Sequence, residues 1–349
     1  MKLTRLIPLL LCTSLAATAA NAKDSFSICW SIYVGWMPWA YGADAGIVDK
    51  WADKYGIDID VVQINDYVES INQFTAGEFD GCTMTNMDAL TIPAASGVDS
   101  TGLILGDYSN GNDGIVLKNG STLADIEGQS VNLVELSVSH YLLARGLDSV
   151  GLSEADVEVV NTSDADMVAA YTTDDVTAVV TWNPLLSEIN AMDNSTEVFN
   201  SAQIPGEIID MLVVNTETLA ENPNFGKALV GAWYEIMSTM QGDSAAAIEA
   251  RTAMAVASGT DLAGYDAQLA STEMFYSPEQ ALELANSDTL VSTMSNVAEF
   301  SFDHGLLGMG APDAGFIGIE MPAGTFGDAG NVQFRFDPSF MQMAADGAL

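Results

Sequence analysis

Residues 26–30 read FSICW, residues 57–64 read IDIDVVQI and residues 79–84 read FDGCTM. Each is a short run rich in β-branched or aromatic residues. Helix-like stretches separate them: 43–55, with Gly56 as a cap, and 68–76, closed by Gly77. Short strands alternating with helices read as an α/β fold with mainly parallel sheets.

The same alternation continues from Asp113. Strands are expected at 115–117, 130–134, 157–160 and 178–181, with helices at 138–150, 165–171 and 185–192. Residues 210–214 form a further strand, expected to return to the first block, and helices follow at 225–240 and 278–285. Two crossings, 107–113 and 204–209, are short and rich in Gly or Pro, as hinges of a two-lobed clamp are. The organisation expected is a first lobe from 23–107 plus 210–308, a second lobe from 113–205, and a Gly-rich C-terminal extension, 309–349. A chain of this length suits two lobes better than one core.

The N-terminus reads as a leader. Lys2 and Arg5 precede an apolar run from Leu6 to Ala17, and Ala20-Asn21-Ala22 is a small-x-small cleavage pattern. Cleavage before Lys23 predicts a periplasmic protein with no direct membrane insertion, expected as a monomer. Removing residues 1–22 takes away two of the 10 basic residues and none of the 48 acidic ones, leaving a formal charge of −40. Such a surface repels nucleic acid and anionic lipid. With 48% hydrophobic residues the chain is well cored, so its acids point to a saline habitat rather than to disorder. Cys29 and Cys82 fall in strands that can be neighbours, and are expected as two buried free thiols.

Catalytic signatures are lacking. His140 and His304 are far apart, and there is no zinc spacing, no Gly-x-Ser-x-Gly elbow and no phosphate loop. No cofactor and no metal site is read from the sequence, and no enzymatic activity is expected.

Ligands of open α/β sheets sit beyond the C-terminal ends of the strands. After the first strand, Trp30, Tyr33, Trp36, Trp39 and Tyr41 crowd one loop, and aromatic faces suit a flat ligand or a cation. After the third comes Thr85-Asn86-Met87-Asp88, so Asn86 and Asp88 are candidates. Asp107 and Tyr108 lie at the first crossing and Asp210 at the second. In the second lobe the candidates are Glu135, Ser137 and Ser139 after one strand, with Trp182 and Asn183 after another. A buried unpaired carboxylate is costly, which singles out Glu135.

These motifs also carry a likeness. Gly35-Trp36-Met37-Pro38-Trp39, residues 135–143, Trp182-Asn183-Pro184, and Pro205-Gly206-Glu207 leading to Asn222-Pro223 follow in an order that resembles the nitrate/sulfonate/taurine-type periplasmic binding proteins. The likeness covers the chain from Lys23 to about residue 308. It implies a two-lobed type II binding-protein fold serving an ABC importer, with a permease and its ATPase as partners. Val131-Asn132-Leu133-Val134-Glu135 and Tyr141-Leu142-Leu143-Ala144-Arg145-Gly146 look closer to the branch associated with urea (guanidine) carboxylase. Binders of nitrate or sulfonate are expected to offer basic side chains, and none stands at a strand exit here. A small planar nitrogenous solute is therefore expected, guanidinium first and urea or a related amide second. The alternatives are a nitrate, sulfonate or taurine-like anion, a periplasmic sensor subunit, and an enzyme of the thiamine-pyrimidine synthase type.

Overall fold

The structure, a computed structural model, describes residues 23–349. The leader expected at 1–22 lies outside the described residues. The strands, in chain order, are β1 (Ser25–Trp30), β2 (Asp58–Gln63), β3 (Gly81–Thr85), β4 (Ser100–Ser109), β5 (Asp113–Lys118), β6 (Ser130–Leu133) and β7 (Glu158–Asn161). There follow β8 (Ala178–Trp182), β9 (Ser195–Asn200), β10 (Ile209–Asn215), β11 (Thr272–Met274), β12 (Gly318–Met321), β13 (Gly324–Phe326) and β14 (Val332–Phe336). One sheet runs β13-β12-β14-β4-β10-β3-β1-β2, with β11 along β4, and the other runs β7-β6-β8-β5-β9. This is the two-lobed α/β architecture expected.

In each lobe a parallel trio forms one end of the sheet: β2, β1 and β3 in the first, β7, β6 and β8 in the second. The chain passes from the first sheet to the second between Ser109 and Asp113, and returns between Asn200 and Ile209. The strand laid down after each passage, β5 and then β10, runs antiparallel to both its neighbours. Every residue of β3 and β8 is buried. Both faces of those strands are covered by helices, which explains their continuous rather than alternating apolar pattern.

Local chemistry sets the helix ends. Asp66 caps the helix Tyr67–Thr75 by accepting from the Glu69 amide, and Gly56, at φ +69°, closes the helix Ile47–Tyr55. The stretch expected as one helix over 43–55 is two, Met37–Asp44 and Ile47–Tyr55. Pro38 sits in the first turn, where its missing amide costs nothing, and Gly46 breaks the pair at φ +69°. Half of the aromatic loop is thus helix, and this helix buries Met37 and Trp39.

Three features depart from expectation. Cys29 and Cys82 are joined as a disulfide rather than free, because the β1–β3 register sets them side by side with Cα atoms 4.4 Å apart. The long strand β4 was not read from the sequence. Its Gly106 lies where a Cβ would fall 3.1 Å from the Trp233 indole, so β-poor glycine there serves close packing. The segment 309–349 contributes β12, β13 and β14 to the first sheet, where β14 pairs with β4 and buries Phe334 and Phe336. Among the described residues no helix is long and apolar enough to cross a membrane.

Candidate functional site

A narrow cavity lies between the lobes, lined by Tyr33, Trp36, Tyr67, Thr85, Asp113, Val138, Trp182, Ile208 and Asp210. The turn after β1 supplies Tyr33 and Trp36, and the helix after β2 supplies Tyr67. Their rings and Trp182, at the end of β8, form a continuous wall. Tyr33 meets Trp36 edge-on at 4.9 Å, Trp36 lies 5.5 Å from Tyr67, and Tyr67 meets Trp182 edge-on at 5.6 Å. The lobes touch over this wall, where the Trp182 Nε1–H donates to the Ile32 carbonyl at 3.2 Å and the Val34 amide to the Asn183 carbonyl at 3.3 Å.

Four buried carboxylates converge beside the rings. Asp107 and Asp210 face each other across β4 and β10, Asp113 opens β5, and Asp88 follows β3; none is more than 3% exposed. The Tyr33 hydroxyl donates to Asp107 Oδ1 at 2.8 Å. Asp88 Oδ2 accepts from the Tyr67 hydroxyl at 2.6 Å and from the Thr85 hydroxyl at 2.8 Å. Ser109 donates to Asp113 at 2.5 Å. These donors serve only part of the acceptor capacity: Asp88 Oδ1, Asp107 Oδ2 and Asp210 Oδ2 find no donor among the described residues. Gly35 gives the backbone room to pass Asp107, since a Cβ there would fall 2.5 Å from Asp107 Oδ2.

Burial without a neighbouring cation favours the neutral acids. It pushes Asp107 to about 7, against the hydrogen bond from Tyr33, and Asp113 to about 7 with help from the charge of Asp88. Asp88 is raised by burial to about 6, less than the others because the Tyr67 and Thr85 hydroxyls hydrogen-bond its charged form. Asp210 is raised well above the carboxylate range, by burial first and then by Asp107 and Asp113.

No basic side chain lines the cavity. Lys23 pairs with Asp80, Lys50 with Glu235, Arg145 with Glu207, Arg251 with Asp266 and Arg335 with Asp99. Lys118 donates to the Tyr171 and Thr173 carbonyls, while Lys54 lies over the Trp51 ring and Lys227 near Tyr55. The site is thus an acidic, aromatic-walled chamber able to pair with a compact cation or a multiple hydrogen-bond donor.

Of the expected residues, Tyr33, Trp36, Trp182 and Asp210 line this chamber, and Asp88 and Asp107 lie behind it, bonded to the Tyr67 and Tyr33 hydroxyls. Trp30 is core at the end of β1. Trp39 lies one layer deeper, stacked on Trp233 at 5.2 Å. Asn86 ties the second crossing to the first lobe by bonding the Glu207 carbonyl and the Ile209 amide. Tyr108 lines a separate surface groove with Glu273 and Phe275. Ser137 caps the helix Val138–Ser149, Ser139 is buried in its first turn, and Asn183 holds Ser187.

Glu135 is not in the chamber. It is exposed, because β6 ends at Leu133 and Leu136 turns the chain at φ +63°, which presents Val138 to the cavity instead. Five lining residues were missed, the apolar Val138 and Ile208 and three polar ones with identifiable reasons. Tyr67 follows β2, whose exit received no reading; Thr85 stood beside the chosen Asn86. Asp113 begins an antiparallel strand, so it reaches the same edge from the opposite end.

Comparison with known proteins agrees with the fold. The structure is similar to the alkanesulfonate-binding protein of Xanthomonas axonopodis pv. citri, with TM-score 0.66 and 17% identity, over 82% of this chain and 96% of that one. It is also similar to the periplasmic nitrate-binding protein of Synechocystis PCC 6803, with TM-score 0.55 and 15% identity, over 69% of each chain. In sequence it is 25% identical over 118 residues to the taurine-binding periplasmic protein of Escherichia coli (strain K12), a match spanning 33% of this chain and 36% of that relative. The family described as NMT1/THI5 like matches residues 51–243, more than half of the chain. On that match, and with the two-lobed fold in agreement, the chain belongs to the NMT1/THI5-like family.

Proposed function

We propose that this protein is the solute-binding subunit of an ABC importer, capturing a small planar nitrogenous solute, guanidinium first and urea or a related amide second. It would close its lobes on the solute and deliver it, in the periplasm, to a membrane permease with its ATPase. The observation that carries the ligand reading is the set of buried carboxylates, three of them with an oxygen lacking any donor, beside four aromatic rings and no base. A planar guanidinium donates in its own plane to such oxygens and offers its faces to the rings. Urea has the same shape and donors without the charge, which is why it stands second.

The names of the relatives favour a second reading, a sulfonate, taurine or nitrate anion. Its difficulty is electrostatic: an anion would meet Asp113 and Asp210, backed by Asp107, with no arginine or lysine between. Titration calorimetry at pH 8 separates the two. We expect a guanidinium response with one site per chain and no response to taurine, nitrate or an alkanesulfonate. Tight anion binding with guanidinium silent overturns the ligand assignment.

A further inference from the structure

We propose that His140, Glu154 and His304 form a divalent metal site of the zinc class that clasps the two lobes together. These are the chain's two histidines, and the fold gathers both on one glutamate, away from the ligand chamber. His140 lies on the helix Val138–Ser149 and Glu154 opens the short turn Glu154–Asp156, both in the second lobe. His304 ends the helix Asp288–Asp303, which packs against the first lobe's helix Asn86–Ala89. His140 Nε2 and His304 Nε2 each contact one oxygen of Glu154, and the three donor atoms lie within 4.8 Å of one another. Two imidazoles and one carboxylate make a donor set for zinc, with a fourth position left for water.

The surroundings prepare one imidazole in the required form. His304 Nδ1 is 2.8 Å from the Phe300 carbonyl, an acceptor only, so that nitrogen carries a proton and Nε2 is the free donor in the neutral ring. Metal-bound histidines are oriented in this way, by the hydrogen bond of the other nitrogen. The Phe300 ring stacks on His304 at 4.0 Å and fixes its plane. His140 needs one adjustment. Its Nδ1 accepts from the Leu136 amide, and metal capture through Nε2 places a proton on Nδ1 and frees that amide. Leu136 is 40% exposed, so water can take the amide over. His304 Nε2 and His140 Nε2 both face the Glu154 carboxylate, and a divalent ion placed between them serves all three donors.

Only His304 comes from the first lobe, so a bound ion joins the lobes at a point independent of the solute. The inference rests on the clamp fold but not on the guanidinium assignment. Calorimetry of chelator-stripped protein with zinc chloride, in excess calcium to occupy surface carboxylates, should give one zinc per chain. Losing a ligand should weaken zinc by about 100-fold or more in His304→Ala and in Glu154→Gln. Circular dichroism and thermal unfolding of the same variants check their folding separately. Cobalt should give a visible absorption band in the wild-type protein that is absent from His304→Ala. No zinc response in excess calcium, or one that survives in both variants, overturns the site. Scattering from the ligand-free protein should show contraction with zinc, and none in His304→Ala; zinc binding without contraction overturns the clasp.

Discussion

At the scale of single residues, the chamber's chemistry turns on which carboxylates a solute meets. Asp210 is the most strongly perturbed of the four and lines the cavity, so Asp210→Asn should weaken guanidinium by about 2–4 kcal/mol, as loss of a buried charge partner does. Glu135→Gln should leave it unchanged, since Glu135 is exposed. Calorimetry on both variants checks the pair, and equal losses would move the site toward Glu135. The raised acids also give binding a pH dependence. A cation needs the charged carboxylates, and Asp88 is raised to about 6 while Asp107 and Asp113 reach about 7. Affinity should therefore rise from pH 5 to 8. A neutral amide would lack this steep rise, so the profile separates guanidinium from urea.

At the scale of elements, the disulfide between β1 and β3 pins the turn that carries Tyr33 and Trp36 to the strand that ends beside Asp88. Cys82→Ser should lower unfolding stability by about 2–4 kcal/mol, measured in urea under oxidising conditions. No change would mean that the two thiols are free in solution. The parallel trios and most helices were legible because apolar periodicity and Gly caps are local signals. What escaped depended on contacts distant in sequence. β4 carries glycines that make sense only against Trp233 and Met211, and β12 to β14 lie in a Gly-rich stretch whose partner strand is far upstream. The chamber was legible in Tyr33, Trp36 and Trp182 and in Asp88, Asp107 and Asp210, but not in Tyr67. Asp113 and the exposure of Glu135 were not, because strand direction and one left-handed turn decide them.

At the scale of the whole molecule, one sign of charge governs both folding and closure. The chain after the expected cleavage carries 48 acidic against 8 basic side chains, which repel one another until counter-ions screen them. Unfolding midpoints should rise with sodium chloride, and a flat response would mean that the acids are compensated locally. Closure concentrates the same repulsion, since it seals Asp88, Asp107, Asp113 and Asp210 into one dry chamber. Their raised proton affinity means that the closed fold holds protons that the open or unfolded chain gives up. The sign follows from linkage: this stabilisation is complete below the ordinary carboxylate range and is lost as pH rises through about 6 to 7. Without solute the clamp should thus close at pH 5, where protons neutralise the acids, and open at pH 8. A bound cation does at pH 8 what protons do at pH 5, so the guanidinium complex should stay closed at both. Small-angle scattering in high salt, with a chelator to keep metal away, reads this directly. The ligand-free radius of gyration should grow from pH 5 to pH 8 while that of the complex stays constant. A ligand-free radius that ignores pH would show that the four carboxylates do not oppose closure, and the cation would then need another reason to drive it.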